Sequence, residues 1–271
     1  MAGKKFRNFR WGNHFIEVDQ AQDGTNYLII HTGSRNLGKQ VAEFYQKLAI
    51  ELHKGKEEYF KKRDEIIRTY KEQGRQNEIE AALKAISWKE KETSIPEDLC
   101  YLYGSFLEDY LHDVEICQNF ARRNREKIAE IMLDYMDING TDGFHTIHNY
   151  INTKEMILRK GAIAAHEGEK VLIPINMRDG SVLAVGKGNP DWNYSAPHGA
   201  GRIMSRKQAK NEISLEEYES AMAGIYTTSV SKETLDEAPM VYKSLEDIID
   251  VIEESVDVIE VMKPIYNFKA N

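Results

Sequence analysis

One stretch of this chain is built for chemistry at phosphorus: Ser195-Ala196-Pro197-His198-Gly199-Ala200-Gly201-Arg202, with Arg206 following four residues later. A histidine stands among residues with almost no side chain, so a bulky group can approach the backbone closely. Exposed N–H groups in such a loop can hold phosphate oxygens, and arginine forks match their geometry. An imidazole placed there can attack or protonate a phosphorylated group. Taken alone, the same residues also describe a tight glycine turn beside a core histidine.

Three further histidines share a setting. His14, His31 and His148 each lie at or near the end of a short apolar segment, beside small or amide residues. Strand ends near loops are where sites are assembled. Three imidazoles suit Zn, Mn, Fe, Co or Ni and leave coordination positions open for a substrate. Alternation in a strand through 12–18 sends Asn13, Phe15 and Glu17 to one face and His14 and Ile16 to the other. Asn13 and Glu17 can then serve one ligand while His14 serves another. His53, His112 and His166 sit in polar or helical surroundings and are read as incidental.

The elements that must position these groups follow from pattern. Residues 14–18 and 26–31 read as strands around an Asp23-Gly24 turn, and 37–53 as a helix with an apolar face. The charged stretch 54–92 reads as a protruding helical hairpin with Gly74 near its bend, its charges solvated. A helical region from Pro96 to about Tyr135 comes next. From Phe144 the texture is β-rich, with strands at 171–175 and 182–185. Helices are expected at 215–223 and 244–254, and a last strand at 257–261. The expected fold class is α+β: a mixed or antiparallel sheet core flanked by helices, forming a single domain over 1–271 with the hairpin as an insertion.

Composition narrows the function classes. The 271 residues carry a formal net charge of −8, which argues against a general nucleic-acid coat protein. Yet Tyr150–Lys210 holds ten Lys and Arg against five Asp and Glu, a local basic stretch in an acidic chain. That distribution suggests a site for an anion. Cys100 and Cys117 form no CxxC pair and fit buried thiols in a reducing cytoplasm. No apolar run reaches the length of a membrane span, and no signal peptide is visible.

Seven segments, in order, carry a family resemblance: GNHFIEV (12–18), HTGSRNLGKQVA (31–42), IHNYI (147–151), LRKGAIAA (158–165), APHGAGRIMSR (196–206), DEAPMVYK (236–243) and KPIYNFK (263–269). Together the chain resembles the RtcB-type RNA-splicing ligases from Gly12 to Lys269. That family joins RNA ends bearing a 3′-phosphate or 2′,3′-cyclic phosphate to 5′-hydroxyl ends, using GTP and Mn²⁺. The resemblance implies that His198 is the nucleophile that becomes guanylylated. It implies metal binding by His14, His31 and His148. Guanylate would be held by Asn13, Phe15, Glu17, Asn176, Ser181, Ala200, Gly201, Tyr242 and Lys269, with Asn176 standing where the family more often has serine. Arg35, Arg202 and Arg206 match arginines that hold phosphates of RNA or GTP.

The resemblance further implies two Mn²⁺ ions bridged by a cysteine, which lies with an aspartate ligand before the GNHF motif. Cys100 and Cys117 do not match that cysteine, and Phe9-Arg10-Trp11 replaces the usual glycine run. Three readings of this difference stay open: a truncated sequence, a split gene whose missing segment lies on a separate chain, or a natural variant. The expected partners are RNA (tRNA halves or broken ends) and GTP, without a membrane. Two rival readings remain at this point: a non-ligating nucleotide- or RNA-binding remnant, and a metal-dependent cyclic phosphoesterase.

Overall fold

A computed structural model of the chain describes residues 14–139 and 142–269, and the fold is α+β. Its strands are β1 (Phe15–Gln20), β2 (Asn26–His31), β3 (His148–Asn152), β4 (Ile157–Ala164), β5 (Lys170–Asn176), β6 (Gly180–Gly186), β7 (Ser195–Pro197), β8 (Tyr226–Thr227) and β9 (Val256–Lys269). The helices are α1 (Arg35–Glu51), α2 (Glu57–Glu72), α3 (Ile79–Lys84), α4 (Ser105–Tyr135), α5 (Arg206–Glu212), α6 (Leu215–Ala221) and α7 (Leu245–Ile252). The chain divides into two compact units, one made of the residues up to Arg35 and from Gln118 onward, the other Asn36–Cys117.

The first unit is organised by β9. Its first half pairs antiparallel with β6 and its second half with β1, giving the sheet order β2-β1-β9-β6-β5, with β8 joined parallel to β9. The strand expected at 257–261 is therefore much longer. The change of partner hides it in sequence: Pro264, which cannot donate to a ladder, falls opposite Asp19 where the β1–β9 register shifts. A second sheet runs β3-β4-β7. One apolar core gathers Ile163, Val171, Ile173, Ile175, Val182 and Val256 under Ile248 and Ile252 of α7. Each such side chain contributes roughly 2 kcal/mol by leaving water. Ser244 starts α7 with a capping box that includes Asp247, which fixes where the apolar stripe begins. A neighbouring cluster of Met177, Ala209, Tyr218, Met222, Leu235 and Val241 supports α5 and α6. Sequence pattern did not suggest α5; its signal is the Ser205 cap, whose Oγ accepts from the Gln208 N–H at 3.1 Å.

The second unit is helical. Tyr45, Leu48 and Leu52 pack with Val41, Phe60, Leu102, Phe106 and Tyr110, and the Tyr45 hydroxyl donates to Asp113 at 2.9 Å. Within 54–92, α2 and α3 are joined across Gly74, and neither helix has a fully buried residue. The second arm is only six residues long. The chain beyond it returns without helix, held by Lys91 N–H on the Lys54 carbonyl at 2.9 Å and by the Lys56 ammonium over the Trp88 ring. The helix expected from Pro96 starts instead at Ser105, after a single turn at Glu97–Leu99. The Tyr101 N–H donates to His53 Nε2 at 3.2 Å rather than to a helical carbonyl. His53 thus has a structural task.

Candidate functional site

His198 follows directly from β7, which pairs with β4 through Ala162–Pro197, Ile163–Ala196 and Ala164–Ser195. Buried Arg159 fixes that edge. It donates to Ser195 Oγ at 2.9 Å, to the Tyr150 hydroxyl at 3.1 Å and to the Asn193 carbonyl at 3.1 Å. On the other side of β4, His148 opens β3 opposite Ile163, and the register then shifts before Tyr150. At the shift Asn149 takes a left-handed conformation, and its Oδ1 accepts from the Gly161 N–H at 2.9 Å. The two strands flanking β4 therefore deliver two imidazoles to one place: the His148 and His198 rings are 4.7 Å apart between centroids.

The larger sheet supplies the rest. His31 ends β2 opposite Phe15, and their rings are 4.8 Å apart. His31 Nε2 lies 3.2 Å from His148 Nε2. His31, His148 and His198 thus form a row of imidazoles, while His14 contacts the Arg35 guanidinium, with Nη1 3.0 Å from Nε2. Burial, helped by the neighbouring His148, lowers His31 from its ordinary 6.5 to about 3. Burial and His198 lower His148 to about 4. Burial also lowers His198, against a backbone contact with Gly161 that raises it. All three imidazoles are neutral at physiological pH, the form that can attack phosphorus or bind a metal.

The donor chemistry bears on the Mn²⁺ expectation. Two nitrogens about 2.1 Å from one ion lie roughly 3.0–3.4 Å apart at angles of 90–109°, and His31 and His148 meet that spacing. Among the described residues, no group of three or more His, Cys, Asp and Glu side chains is gathered to hold a metal. The described residues thus offer a two-imidazole partial shell. His148 Nδ1 is buried without a hydrogen-bond partner.

Lys269, whose charge helps to hold His31 neutral, belongs to a cluster of buried polar side chains. Glu17 is buried and accepts a hydrogen bond from the Asn267 amide. Burial and then Asp19 raise its pKa well above the usual carboxylate range. Asp19, on the same face of β1, is fully buried and pushed up by burial to about 6. Neither of its oxygens, nor Ser181 Oγ, has a hydrogen-bond partner. Tyr242 and Lys269 converge on Glu237: the hydroxyl donates to Oε2 at 2.7 Å and Nζ at 2.6 Å. Arg206 Nη1 is 2.9 Å from Glu237 Oε1 and 2.5 Å from Asp236 Oδ2. Arg202 donates to the Asp236 carbonyl at 2.6 Å and lies over the Tyr242 ring. Ala200 is buried, and the Gly201 carbonyl accepts from the Lys243 N–H at 3.1 Å.

The structure therefore gathers His31, His148, His198 and Phe15 in one group, and Tyr242, Lys269, Arg202 and Arg206 in another. Asn13 lies outside the described residues. Asn176 caps the β5–β6 turn: its Oδ1 accepts from the Arg178 and Asp179 N–H groups at 2.9 Å each, and its Nδ2 donates to Asp179 at 2.7 Å. Sequence reading did not assign Asp19, Arg159, Asp236, Glu237 or Asn267. For all of these but Asp19, the available signal was the motif context of LRKGAIAA, DEAPMVYK and KPIYNFK.

Fold and site define an α+β protein with a row of neutral histidines beside a cationic cluster organised by buried carboxylates. No helix among the described residues is long and apolar enough to cross a membrane. The family model for the tRNA-splicing ligase RtcB matches residues 11–270, and the chain belongs to that family. It is 26% identical to the RNA-splicing ligase RtcB of Escherichia coli K12, covering 94% of this chain and 58% of that protein. It is 30% identical to the tRNA-splicing ligase RtcB of Nanoarchaeum equitans and 28% identical to that of Aeropyrum pernix, in each case over 54% of the relative's length. The chain spans little more than half the length of these three relatives.

Proposed function

We propose that this chain carries the guanylylation and RNA-end-handling portion of a GTP- and Mn²⁺-dependent RNA ligase. The ligase would join 3′-phosphate or 2′,3′-cyclic phosphate ends to 5′-hydroxyl ends. The observation that carries this reading is His198, neutral and 4.7 Å from His148 between ring centroids. In the first step an imidazole nitrogen of His198 attacks the α-phosphorus of GTP. An N–P bond forms, the bond to the β-phosphate oxygen breaks and pyrophosphate leaves. An oxygen of the RNA 3′-phosphate, formed at a cyclic end when water adds to phosphorus and the P–O2′ bond breaks, then attacks the same phosphorus and releases the imidazole. Finally the 5′-hydroxyl attacks the activated RNA phosphorus, and GMP leaves.

Positioning and charge neutralisation dominate such displacements. Arg35, Arg202 and Arg206 hold phosphate oxygens in this reading. Phe15, Glu17, Ser181, Ala200, Gly201, Tyr242 and Lys269 enclose the guanylate, joined by Asn13 and, with its side chain already engaged, Asn176. His31 and His148 would hold Mn²⁺ together with His14 once its ring parts from Arg35, and the ion would neutralise phosphate charge. The relatives' additional length is the natural source of further metal ligands, on the same or a separate chain. RNA ends, including tRNA halves, are the substrates, residues 1–271 act as one catalytic domain, and a cytoplasmic setting suits the two free cysteines. The test is incubation with α-labelled GTP and Mn²⁺. Wild-type protein should take an acid-labile label that His198→Ala protein does not; label persisting on His198→Ala overturns the assignment.

A further inference from the structure

We propose that Glu237 is a positioning residue that aligns Lys269 and Tyr242 for the base of the bound nucleotide and so sets the preference for guanine over adenine. The inference rests on the guanylate reading of this pocket. Glu237 ends the helical turn Lys232–Glu237 and is buried. Its Oε2 takes both the Lys269 ammonium and the Tyr242 hydroxyl, at 2.6 and 2.7 Å, while Oε1 faces Arg206 at 2.9 Å and Arg202 at 3.8 Å. One carboxylate thereby fixes groups from four separate segments: the loop after β7, α5, the turn before α7, and the last residue of β9.

The protonation states support this role. Burial pulls the Glu237 pKa upward, but Lys269, Tyr242 and Arg206 outweigh it and the net shift is downward. Burial, followed by Glu237 itself, raises Tyr242. Glu237 therefore stays an acceptor and Tyr242 a donor.

The ligand chemistry follows from Lys269. An ammonium has three donors, and Glu237 takes one, leaving two for a ligand. Guanine offers two acceptors on one edge, O6 and N7, where adenine replaces O6 with an amino donor. A lysine held by a buried carboxylate, rather than swinging on its four-carbon stem, discriminates between those edges. A flexible lysine would keep its charge and lose the geometry.

Equilibrium binding of fluorescent GTP and ATP analogues to the full chain tests this. Glu237→Gln keeps the shape and removes the charge. It should weaken GTP by about ten- to hundredfold, the usual worth of a charge-assisted hydrogen bond, with ATP nearly unchanged. Glu237→Asp should fall between. Adding Lys269→Ala to Glu237→Gln should weaken GTP no further than Lys269→Ala alone, because the carboxylate acts through the lysine. Asp236→Asn, which touches Arg206 and Lys210 but not Lys269, should leave the GTP-to-ATP ratio intact. Equal weakening of both nucleotides, an unchanged ratio, or effects that multiply in the double variant would overturn the proposal. Wild-type protein that binds GTP no better than ATP would overturn the guanylate reading itself. Wild-type preference with no change in Glu237→Gln defeats only the role given to Glu237.

Discussion

Among the described glycines, an added Cβ would meet its nearest neighbour at the shortest distance at Gly180, and its replacement by alanine gives a quantitative test of how β6 and β9 meet. Gly180 opens β6 with φ +76°, and a Cβ there would lie 2.1 Å from the Met262 carbonyl oxygen and 2.9 Å from Pro264 Cδ. Both neighbours belong to β9, at the stretch where Ser181 faces Met262 and Asp19 faces Pro264. Backbone in a paired strand cannot rotate aside as a side-chain end can. The left-handed conformation costs alanine about 1–2 kcal/mol, and forcing the strands apart adds roughly 1–3 kcal/mol. Gly168 separates the two effects. It has φ +77° and nothing within 4 Å of an added Cβ, so Gly168→Ala should show the conformational cost alone. Thermal unfolding followed by circular dichroism should place Gly180→Ala about 2–12 °C below Gly168→Ala, at about 2–4 °C per kcal/mol for a unit of this size. Because the strands separate beside Ser181, nucleotide binding should weaken as well. Equal melting points for the two variants would refute the close packing of β6 against β9.

Three other expectations address protonation and chemistry. His31 and His148 have folded pKa values of about 3 and 4, below the ordinary 6.5. The unfolded chain therefore takes protons first, and stability falls as pH drops below about 6.5. The pair should lose about 2–4 kcal/mol by pH 5, allowing for the partial exposure of His148, and a His31→Gln/His148→Gln variant titrated with urea should lack that part of the slope. Asp19 works in the opposite sense: its pKa is raised to about 6, so it destabilises the fold above that pH and the penalty disappears as pH falls toward 4. Asp19→Asn should stabilise the protein at pH 8 by up to about 3 kcal/mol and hardly at all at pH 4, and equal effects at both pH values would contradict the assignment. His198→Ala should remove nucleotidyl transfer from α-labelled GTP by several orders of magnitude, as loss of a nucleophile does, with a melting point close to wild type.

Where sequence reading succeeded and where it stopped has a physical explanation. His14, His31 and His148 stood out because each lies at or near the end of a short apolar segment, and His198 because it stands in a glycine loop, yet any one of them alone reads equally as core or surface packing. The alternation that put Glu17 opposite His14 was legible because the side-chain period of a strand is 2. Spacing alone could not reveal that His31 and His148, 117 residues apart, meet at 3.2 Å, because the two sit on strands of different sheets, β2 in one and β3 in the other. Glu237 and Asp236 were hidden for a different cause. A carboxylate in a polar stretch reads as solvated surface, and only burial beside Lys269, Arg206 and Tyr242 turns it into an organising charge. Asn176 was singled out only through the family resemblance, and the structure adds that its amide closes a turn. The residues that most resist sequence reading here are thus the anions that hold the cations. A cationic pocket must be held together before its ligand arrives, so the carboxylates that offset its repulsion are as much a part of the site as the arginines and lysine that meet the phosphate and the base.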